Sequence, residues 1–208
     1  MSNLLLLFLL LSVVSSVAQL GWLLGWDEEC SDVKFDAYGL PAASRGKTLV
    51  GAGMRRKNLF ITEVDVYAVG LYASSSVDKA ASSSWSSKTL SNKDTHLVLQ
   101  FAREVGTDKI VNAIVDSLAS FKRGDKYKKQ LTAFKTTLLG GMGGGGVAKG
   151  DLIEFLFSSS SIEITVRGNS AGKVKSSELK EALMDVYVNK KKSVAPELVK
   201  AVTERWSD

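Results

Sequence analysis

The chain has 208 residues, of which 45% are hydrophobic, and it carries a formal net charge of +5 at neutral pH. This length favours one domain with one substantial hydrophobic core. Basic residues are interleaved with acidic ones instead of forming blocks, which argues against a nucleic-acid partner.

Cys30 is the only cysteine, so an internal disulfide is excluded. His96 is the only histidine, which leaves a histidine-based metal site or a Ser-His-Asp triad without support. We expect neither a metal nor a cofactor.

The N-terminal segment predicts a targeting signal. Residues 4–14 form an apolar run of the length of a secretory h-region, and residues 16–18 form a small-x-small cleavage site. We therefore expect residues 1–18 to be a signal peptide that is removed after Ala18. The mature protein would then enter the secretory pathway or leave the cell.

The domain that follows is expected at residues 33–208, after a linker at residues 19–32. Two other fates of the N-terminus stay open, because the segment before the apolar run lacks Lys and Arg and because residues 20–26 extend the apolar stretch. Residues 4–25 could remain as an uncleaved membrane anchor, or the segment could target an organelle. With cleavage, no stable membrane span is expected, and the mature domain is expected to be a monomer.

Residues 46–73 predict two consecutive β-strands. Apolar side chains alternate in the second strand, which is typical of a sheet with one face on a core. Tyr67 lies on the opposite, mixed face, where a polar half gives way to an apolar one, as at the rim of a cleft. Arg55 lies in the first strand, after two glycines that permit close backbone approach. An arginine and a tyrosine near an apolar cleft predict an anion site. The alternating side chains expected on the core are Phe60, Val64, Val66, Ala68 and Tyr72.

Further strands and helices follow in an order that indicates the fold class. Strands, a helix pair, more strands and a second helix pair predict an α+β fold, in which an antiparallel sheet is covered on one face by helices. His96 is expected on the surface of the third strand. The predicted elements are a loop with a short helix over 74–91, a strand over 95–103, helices from Thr107 and over 125–139, a hairpin turning at 158–161, a turn at 168–172, a helix capped by Ser176 or Ser177 and ending at Asn189, and a helix beginning at Pro196.

A glycine-rich stretch at residues 140–146 contains a formal G-x-G-x-x-G. A dinucleotide fingerprint needs a strand before it and a helix after it, whereas here a helix precedes and a strand follows. Lys149 is followed by Gly150 and not by Ser or Thr, so a P-loop is excluded as well. We interpret the stretch as a flexible connection that could act as a movable lip.

Four stretches resemble the chalcone isomerase-like family, which includes plant chalcone-flavanone isomerases, fatty-acid-binding proteins and non-catalytic relatives. They are GAGMRR…VYAVGLYASS, VAKGDLIEFLF, IEITVRGNSAGKV and ELKEALMDVYVNKKKSVAPELVKAV. The resemblance covers about Val33 to the C-terminus, and it agrees in order and spacing. It implies the family's open-faced β-sandwich.

The resemblance also carries the catalytic positions of the isomerases onto this chain. Arg55 and Asn112 match the family's arginine and asparagine, although periodicity alone places Asn112 toward solvent. The three hydroxyl positions are occupied by Tyr67, Val105 and Val186. Losing one preorganised donor to a developing oxyanion costs about 2.7 to 4 kcal/mol in barrier. Two valines at such positions therefore argue against efficient chalcone cyclisation.

The remaining pair, Arg55 and Tyr67, resembles the fatty-acid-binding branch of the family and would suit a carboxylate. We therefore expect a non-catalytic protein that binds a fatty acid or a similar amphipathic carboxylate. Three alternatives stay open. The protein could be an isomerase acting on a phenolic enone, it could be a non-catalytic interaction module, or Arg55 could merely pair with Asp65 or Glu63 across the hairpin.

Overall fold

A computed structural model describes residues 40, 43–59, 62–77, 85–121 and 124–207. The chain divides into two compact units, residues 1–34 and residues 35–208, and the described residues all belong to the second. The signal peptide and the linker predicted from the sequence lie outside the described residues, so cleavage and localisation stay predictions. Of the helices described, none has both the length and the apolar character needed to cross a bilayer.

The described residues contain a seven-stranded antiparallel sheet whose strands lie side by side in chain order. This confirms the predicted antiparallel sheet. The first strand is only two residues long, and the second and third form the long hairpin predicted over residues 46–73. The strands are β1 (Ala43–Ser44), β2 (Lys47–Leu59), β3 (Thr62–Ala73), β4 (Thr95–Phe101), β5 (Leu152–Phe157), β6 (Ile162–Val166) and β7 (Asn169–Val174).

Helices cover one face of the sheet, which confirms the α+β class. The last helix lies on β2, the third lies on β6 and β7, and the fourth packs against the first and second helices. Within residues 74–91, which were expected to form a loop with a short helix, the structure describes a helical turn at residues 75–77 and the first helix. The helices are α1 (Ser87–Ser91), α2 (Thr107–Phe121), α3 (Asp125–Met142), α4 (Ser177–Val188) and α5 (Pro196–Ser207).

Local capping chemistry sets the ends of α4. The Ser176 hydroxyl accepts a hydrogen bond from the Leu179 backbone N–H at 3.0 Å, which satisfies a free donor of the first turn. At the other end, the Asn189 backbone N–H donates to the Asp185 carbonyl. Both caps agree with the ends predicted from the sequence.

The orientation of β3 differs from the alternation predicted for it. Tyr67, Val69 and Leu71 face the helices and belong to the main core, whereas Ala68 and Tyr72 point to the opposite face. Both sets are buried, because the second half of β3 is covered on both faces. The apolar alternation therefore predicts the strand correctly. It is wrong about the face, because it places Ala68 and Tyr72, and not Val69 and Leu71, on the side covered by the helices.

A turn predicted at residues 168–172 is shorter in the structure. Arg167 and Gly168 form it with φ angles of 51° and 78°, and β7 begins at the next residue. The local pattern does not indicate strand β7, because its two interior small residues, Ala171 and Gly172, are typical of a turn. The close approach of α3 explains them, since a Cβ at Gly141 of α3 would lie 2.3 Å from the Ala171 Cβ.

The last helix lies directly on the backbone of β2. A Cβ placed on Gly53 would be only 2.3 Å from the Leu198 backbone nitrogen, and one on Gly51 would be 2.8 Å from a Val202 methyl carbon. The two glycines thus allow α5 to approach within backbone contact of the strand. Because Arg55 follows two positions after Gly53, this packing brings the start of α5 beside the arginine.

Candidate functional site

Arg55 lies at the wall of a surface cavity of about 340 Å³. Strand β2 supplies one wall, and the other comes from the connection between α4 and α5 with the first turn of α5, including Val194, Pro196 and Glu197. Arg55 is half-buried and lies opposite Tyr67 in the strand register. The predicted arginine and tyrosine are therefore brought together by the hairpin itself.

The neighbouring arginine, Arg56, makes the cross-strand ion pair that the sequence left open for Arg55. Its Nε donates to Asp65 at 2.9 Å, and its Nη1 donates to Glu197 of α5 at 2.5 Å. The register explains this choice, because Val66 is an extra residue on β3 that shifts Asp65 opposite Arg56. Within the described part of the chain, the Arg55 guanidinium has no hydrogen bond or ion pair.

Behind Arg55, two tyrosine hydroxyl groups meet. The Tyr67 hydroxyl on β3 and the Tyr187 hydroxyl on α4 are 3.2 Å apart, within hydrogen-bonding distance. Tyr67 is 8% exposed and Tyr187 is 0% exposed. The sequence placed Tyr187 on the buried stripe of its helix and gave it no role at the site. The available signal was the hydroxyl itself, since a buried tyrosine hydroxyl usually has a hydrogen-bond partner.

Both tyrosines keep their protons at neutral pH. Burial raises the pKa of Tyr67 above its ordinary value, although the Tyr187 hydroxyl and the Arg55 charge act in the opposite direction. Burial raises the pKa of Tyr187 further, and the neighbouring Tyr67 adds to this effect while Arg55 opposes it. The site therefore combines one guanidinium with two neutral phenols that can donate hydrogen bonds.

Three other residues that were carried over from the family resemblance lie apart from this arrangement or lack donors. Asn112 is exposed on α2, where its side-chain oxygen accepts a hydrogen bond from Lys135 of α3 at 3.1 Å. Val105 is half-buried and forms an isolated backbone bridge with Val147. Val186 is 1% exposed in the core. The structure thus joins Arg55 with Tyr67 and does not bring Asn112 to them.

The layer between sheet and helices is filled behind the arginine. The ring of Tyr67 packs edge-on against Phe101 and Tyr187, with ring centroids 5.4 and 6.4 Å away, and Phe101 is 1% exposed. The cavity outside is lined largely by charged residues, including Arg56, Lys57 and Glu63. It therefore offers space for a polar head group, whereas an apolar chain would have to enter the packed layer.

A second polar cluster lies on the opposite face of the sheet, around His96. This side chain was expected on the strand surface, but it is 0% exposed beneath that face. Its Nε2 lies 3.3 Å from Glu154, and the Arg45 guanidinium is 3.3 Å from the other carboxylate oxygen. His96 and Arg45 keep the pKa of Glu154 below its ordinary value, against the effect of burial. Within the described ranges, no three potential metal-ligating side chains gather.

The glycine-rich connection after α3 is fastened by side chains. Arg167 donates to the Met142 carbonyl at 2.6 Å and to the Gly146 carbonyl at 3.2 Å. The Thr107 hydroxyl donates to the Gly143 carbonyl and accepts from the Gly146 N–H. These bonds tie the connection to the turn after β6 and to the start of α2, so the connection is anchored at both places.

Comparison with known proteins places this chain in a family. The family described as chalcone isomerase-like matches residues 28–198. Because this match spans most of the chain, the protein belongs to the chalcone isomerase-like family. No curated protein matches the chain significantly.

Solved structures match this fold, and one of them is that of a plant protein. It is the crystal structure of a fatty-acid binding protein of Arabidopsis thaliana, AtFAP1, which superposes with a TM-score of 0.68 at 20% sequence identity. The similarity covers 80% of this chain and 92% of that one. The chain is therefore similar in architecture over nearly the whole of its relative.

Proposed function

We propose that this protein binds a medium-chain or long-chain fatty acid, or a similar amphipathic carboxylate, with the carboxylate at Arg55 and Tyr67. The observation that carries the proposal is the Arg55 guanidinium, which is half-buried at a cavity wall and has no partner among the described residues. A partly desolvated charge is costly unless an opposite charge accompanies it. A ligand carboxylate would supply that charge.

The chemistry of Arg55 suits a carboxylate better than a neutral group. A guanidinium presents a planar fork of N–H donors that matches the two oxygens of a carboxylate. Each hydrogen bond to a charged group contributes about 1.5 to 3 kcal/mol. The Tyr67 hydroxyl, opposite Arg55 in the sheet, adds a neutral donor. The fatty-acid binding described for AtFAP1, which shares this fold, agrees with the proposal.

The alkyl tail would enter the apolar layer between the sheet and the helices. Burial there would stabilise the complex by about 0.8 kcal/mol per CH₂. Because the rings of Tyr67, Phe101 and Tyr187 fill the layer next to Arg55, the tail has to enter beside them. We therefore expect ligand binding to widen the layer beside these rings, while the contact between the Tyr67 and Tyr187 hydroxyls is kept.

The direct test is to identify and then titrate the ligand. Mass spectrometry of protein purified under native conditions should show a retained fatty acid. After delipidation, acids of C12 to C18 should bind at micromolar concentration, and Arg55→Ala should weaken binding at least about tenfold, which corresponds to ~1.4 kcal/mol. Lys129→Ala is the matched control, because it removes one charge from the exposed face of α3. Equal affinity in Arg55→Ala and wild type, or no acid bound at micromolar concentration, would reject the proposal.

The same site is expected to lack useful chalcone isomerase activity. The family's hydroxyl positions at Val105 and Val186 carry no donor, and each missing donor raises a barrier by about 2.7 to 4 kcal/mol. An absorbance assay with a 2′-hydroxychalcone should therefore give a rate close to the spontaneous one. Turnover well above that rate, and lost in Arg55→Ala, would show instead that the isomerase alternative is correct.

A further inference from the structure

The two buried hydroxyls at the site leave one proton without an acceptor. Tyr67 and Tyr187 each carry one O–H proton, and the single contact between them, at 3.2 Å, uses one of the two. In the described part of the chain, neither hydroxyl has another hydrogen-bond partner. The pair therefore holds one buried donor that has no acceptor, and an unmet donor at such a position is costly.

The positions of the two rings indicate which hydroxyl holds the free proton. Tyr187 is 0% exposed, whereas Tyr67 retains 8% exposure and lies opposite Arg55 in the strand register. A hydrogen bond from Tyr187 to Tyr67 directs the remaining proton to the side of Arg55. In the reverse arrangement, the free proton would be on the fully buried ring.

We propose that Tyr187 is a positioning residue that donates to Tyr67, so that Tyr67 donates to the oxyanion of a ligand held by Arg55. This inference rests on the proposed function and deepens it, because it assigns the residue that orients the hydroxyl donor at the head group. The head group must accept a hydrogen bond and carry negative charge, as an ionised carboxylate does. An alcohol or an ester of the same chain length lacks the charge that Arg55 requires.

We call the chain of hydrogen bonds from Tyr187 through Tyr67 to the ligand the relay. It strengthens Tyr67, the donor that contacts the ligand. Hydrogen bonds in a chain polarise one another, by about 10–30% per bond in condensed phases. When Tyr67 accepts from Tyr187, its own O–H becomes a better donor. Burial raises the pKa values of both phenols, so the relay is in its neutral, donating form at pH 7. Tyr187 thus influences affinity without touching the ligand.

A double-mutant cycle with two probes tests the relay. Dodecanoate and 1-dodecanol are titrated into the full-length wild type, Tyr67→Phe, Tyr187→Phe and the double variant. We expect dodecanoate affinity to fall about fivefold in Tyr67→Phe and about threefold in Tyr187→Phe. The double variant should match Tyr67→Phe, because Tyr187 acts only through Tyr67. Affinity for dodecanol should be equal in all four proteins.

Tyr127→Phe is the matched control, because it deletes another buried hydroxyl, which donates to the Leu118 carbonyl. This variant should bind dodecanoate as the wild type does. Two results would overturn the relay. One is a loss of dodecanoate affinity in the double variant equal to the product of the losses in the two single variants. The other is an equal loss of affinity for dodecanoate and dodecanol in Tyr187→Phe. If Tyr187→Phe leaves dodecanoate affinity unchanged while Arg55→Ala weakens it, the relay fails and the proposed function survives.

A ligand-free readout separates the relay from fatty-acid binding. In protein labelled with ¹³Cζ-tyrosine, the Tyr67 resonance is assigned by its loss in Tyr67→Phe, and its titration gives the pKa. Removing the Tyr187 hydroxyl takes away a donor to the Tyr67 phenolate, so the pKa of Tyr67 should rise in Tyr187→Phe. An unchanged or lower pKa would reject the relay, even if a fatty acid binds.

Discussion

Gly53→Ala is expected to lower the free energy of unfolding by about 3 kcal/mol. The added Cβ would be 2.3 Å from the Leu198 backbone nitrogen and 3.0 Å from its Cα, so a main chain and not a flexible side chain would have to move. Either α5 lifts from β2, or the strand bends. Urea unfolding followed by circular dichroism measures the loss.

The matched control for this prediction is Gly140→Ala. Gly140 also lies in a regular element, in α3, but a Cβ there would have no atom within 4 Å. Alanine in a helix interior is favoured over glycine by about 0.5–1 kcal/mol, so this variant should be slightly stabilised. An unfolding midpoint for Gly53→Ala equal to that of the wild type would contradict the direct contact of α5 with the strand.

The same substitution connects stability with the site. Helix α5 begins with Pro196 and Glu197, which line the cavity next to Arg55. A displaced α5 would also separate Glu197 from Arg56, since this ion pair joins the helix to β2. We therefore infer that the two glycines before the arginines have a role in shaping the site, because they place the wall of the cavity.

Local sequence signals were sufficient for the ends of the last two helices that they mark. Ser176, Asn189 and Pro196 act within their own helix ends, so their effect could be predicted without knowledge of the fold. The faces of β3 could not be predicted in the same way. Alternation indicates a strand, but it cannot identify the helix-covered face when residues such as Val69 and Tyr72 are buried on opposite sides.

The site was predictable only in part, for a related reason. Arg55 and Tyr67 could be proposed from the hairpin pattern and the family resemblance, because both lie in one continuous segment. Which arginine pairs with Asp65 depends on the extra residue Val66, a bulge that the local pattern does not indicate. Tyr187 is 120 residues from Tyr67 in the chain, so their contact required the three-dimensional structure.

His96 shows the same limit on the other face of the sheet. Its position on a polar-looking strand face predicted exposure, because Gln100 on the same face is polar. The structure buries it beside Glu154 and Tyr72, which come from neighbouring strands β5 and β3. A single strand does not reveal what covers it, so the burial of an isolated polar residue depends on partners that are distant in sequence.

Lys180→Met is expected to lower the free energy of unfolding by about 2 kcal/mol. Lys180 on α4 is 0% exposed, and its Nζ donates to the carbonyls of Ser158 and Ser159 at 2.8 and 2.9 Å and to the Asn92 side-chain oxygen at 3.2 Å. Methionine keeps the apolar stem but removes every donor, so the hairpin turn between β5 and β6 loses its link to α4. Lys175→Met, at an exposed lysine before the same helix, should change stability by less than about 0.5 kcal/mol.

The difference in unfolding free energy between wild type and Lys180→Met should also depend on pH, which a simple packing defect would not produce. Burial lowers the pKa of Lys180 below 10.5, so the unfolded chain binds a proton at this side chain more readily than the folded protein does. Unfolding free energy must then rise as pH increases from the lowered pKa toward 10.5. The Met variant lacks this contribution, so the gap between wild type and Lys180→Met should widen over that interval. A gap that is constant with pH in urea titrations would show that the buried amine titrates as it does in the unfolded chain.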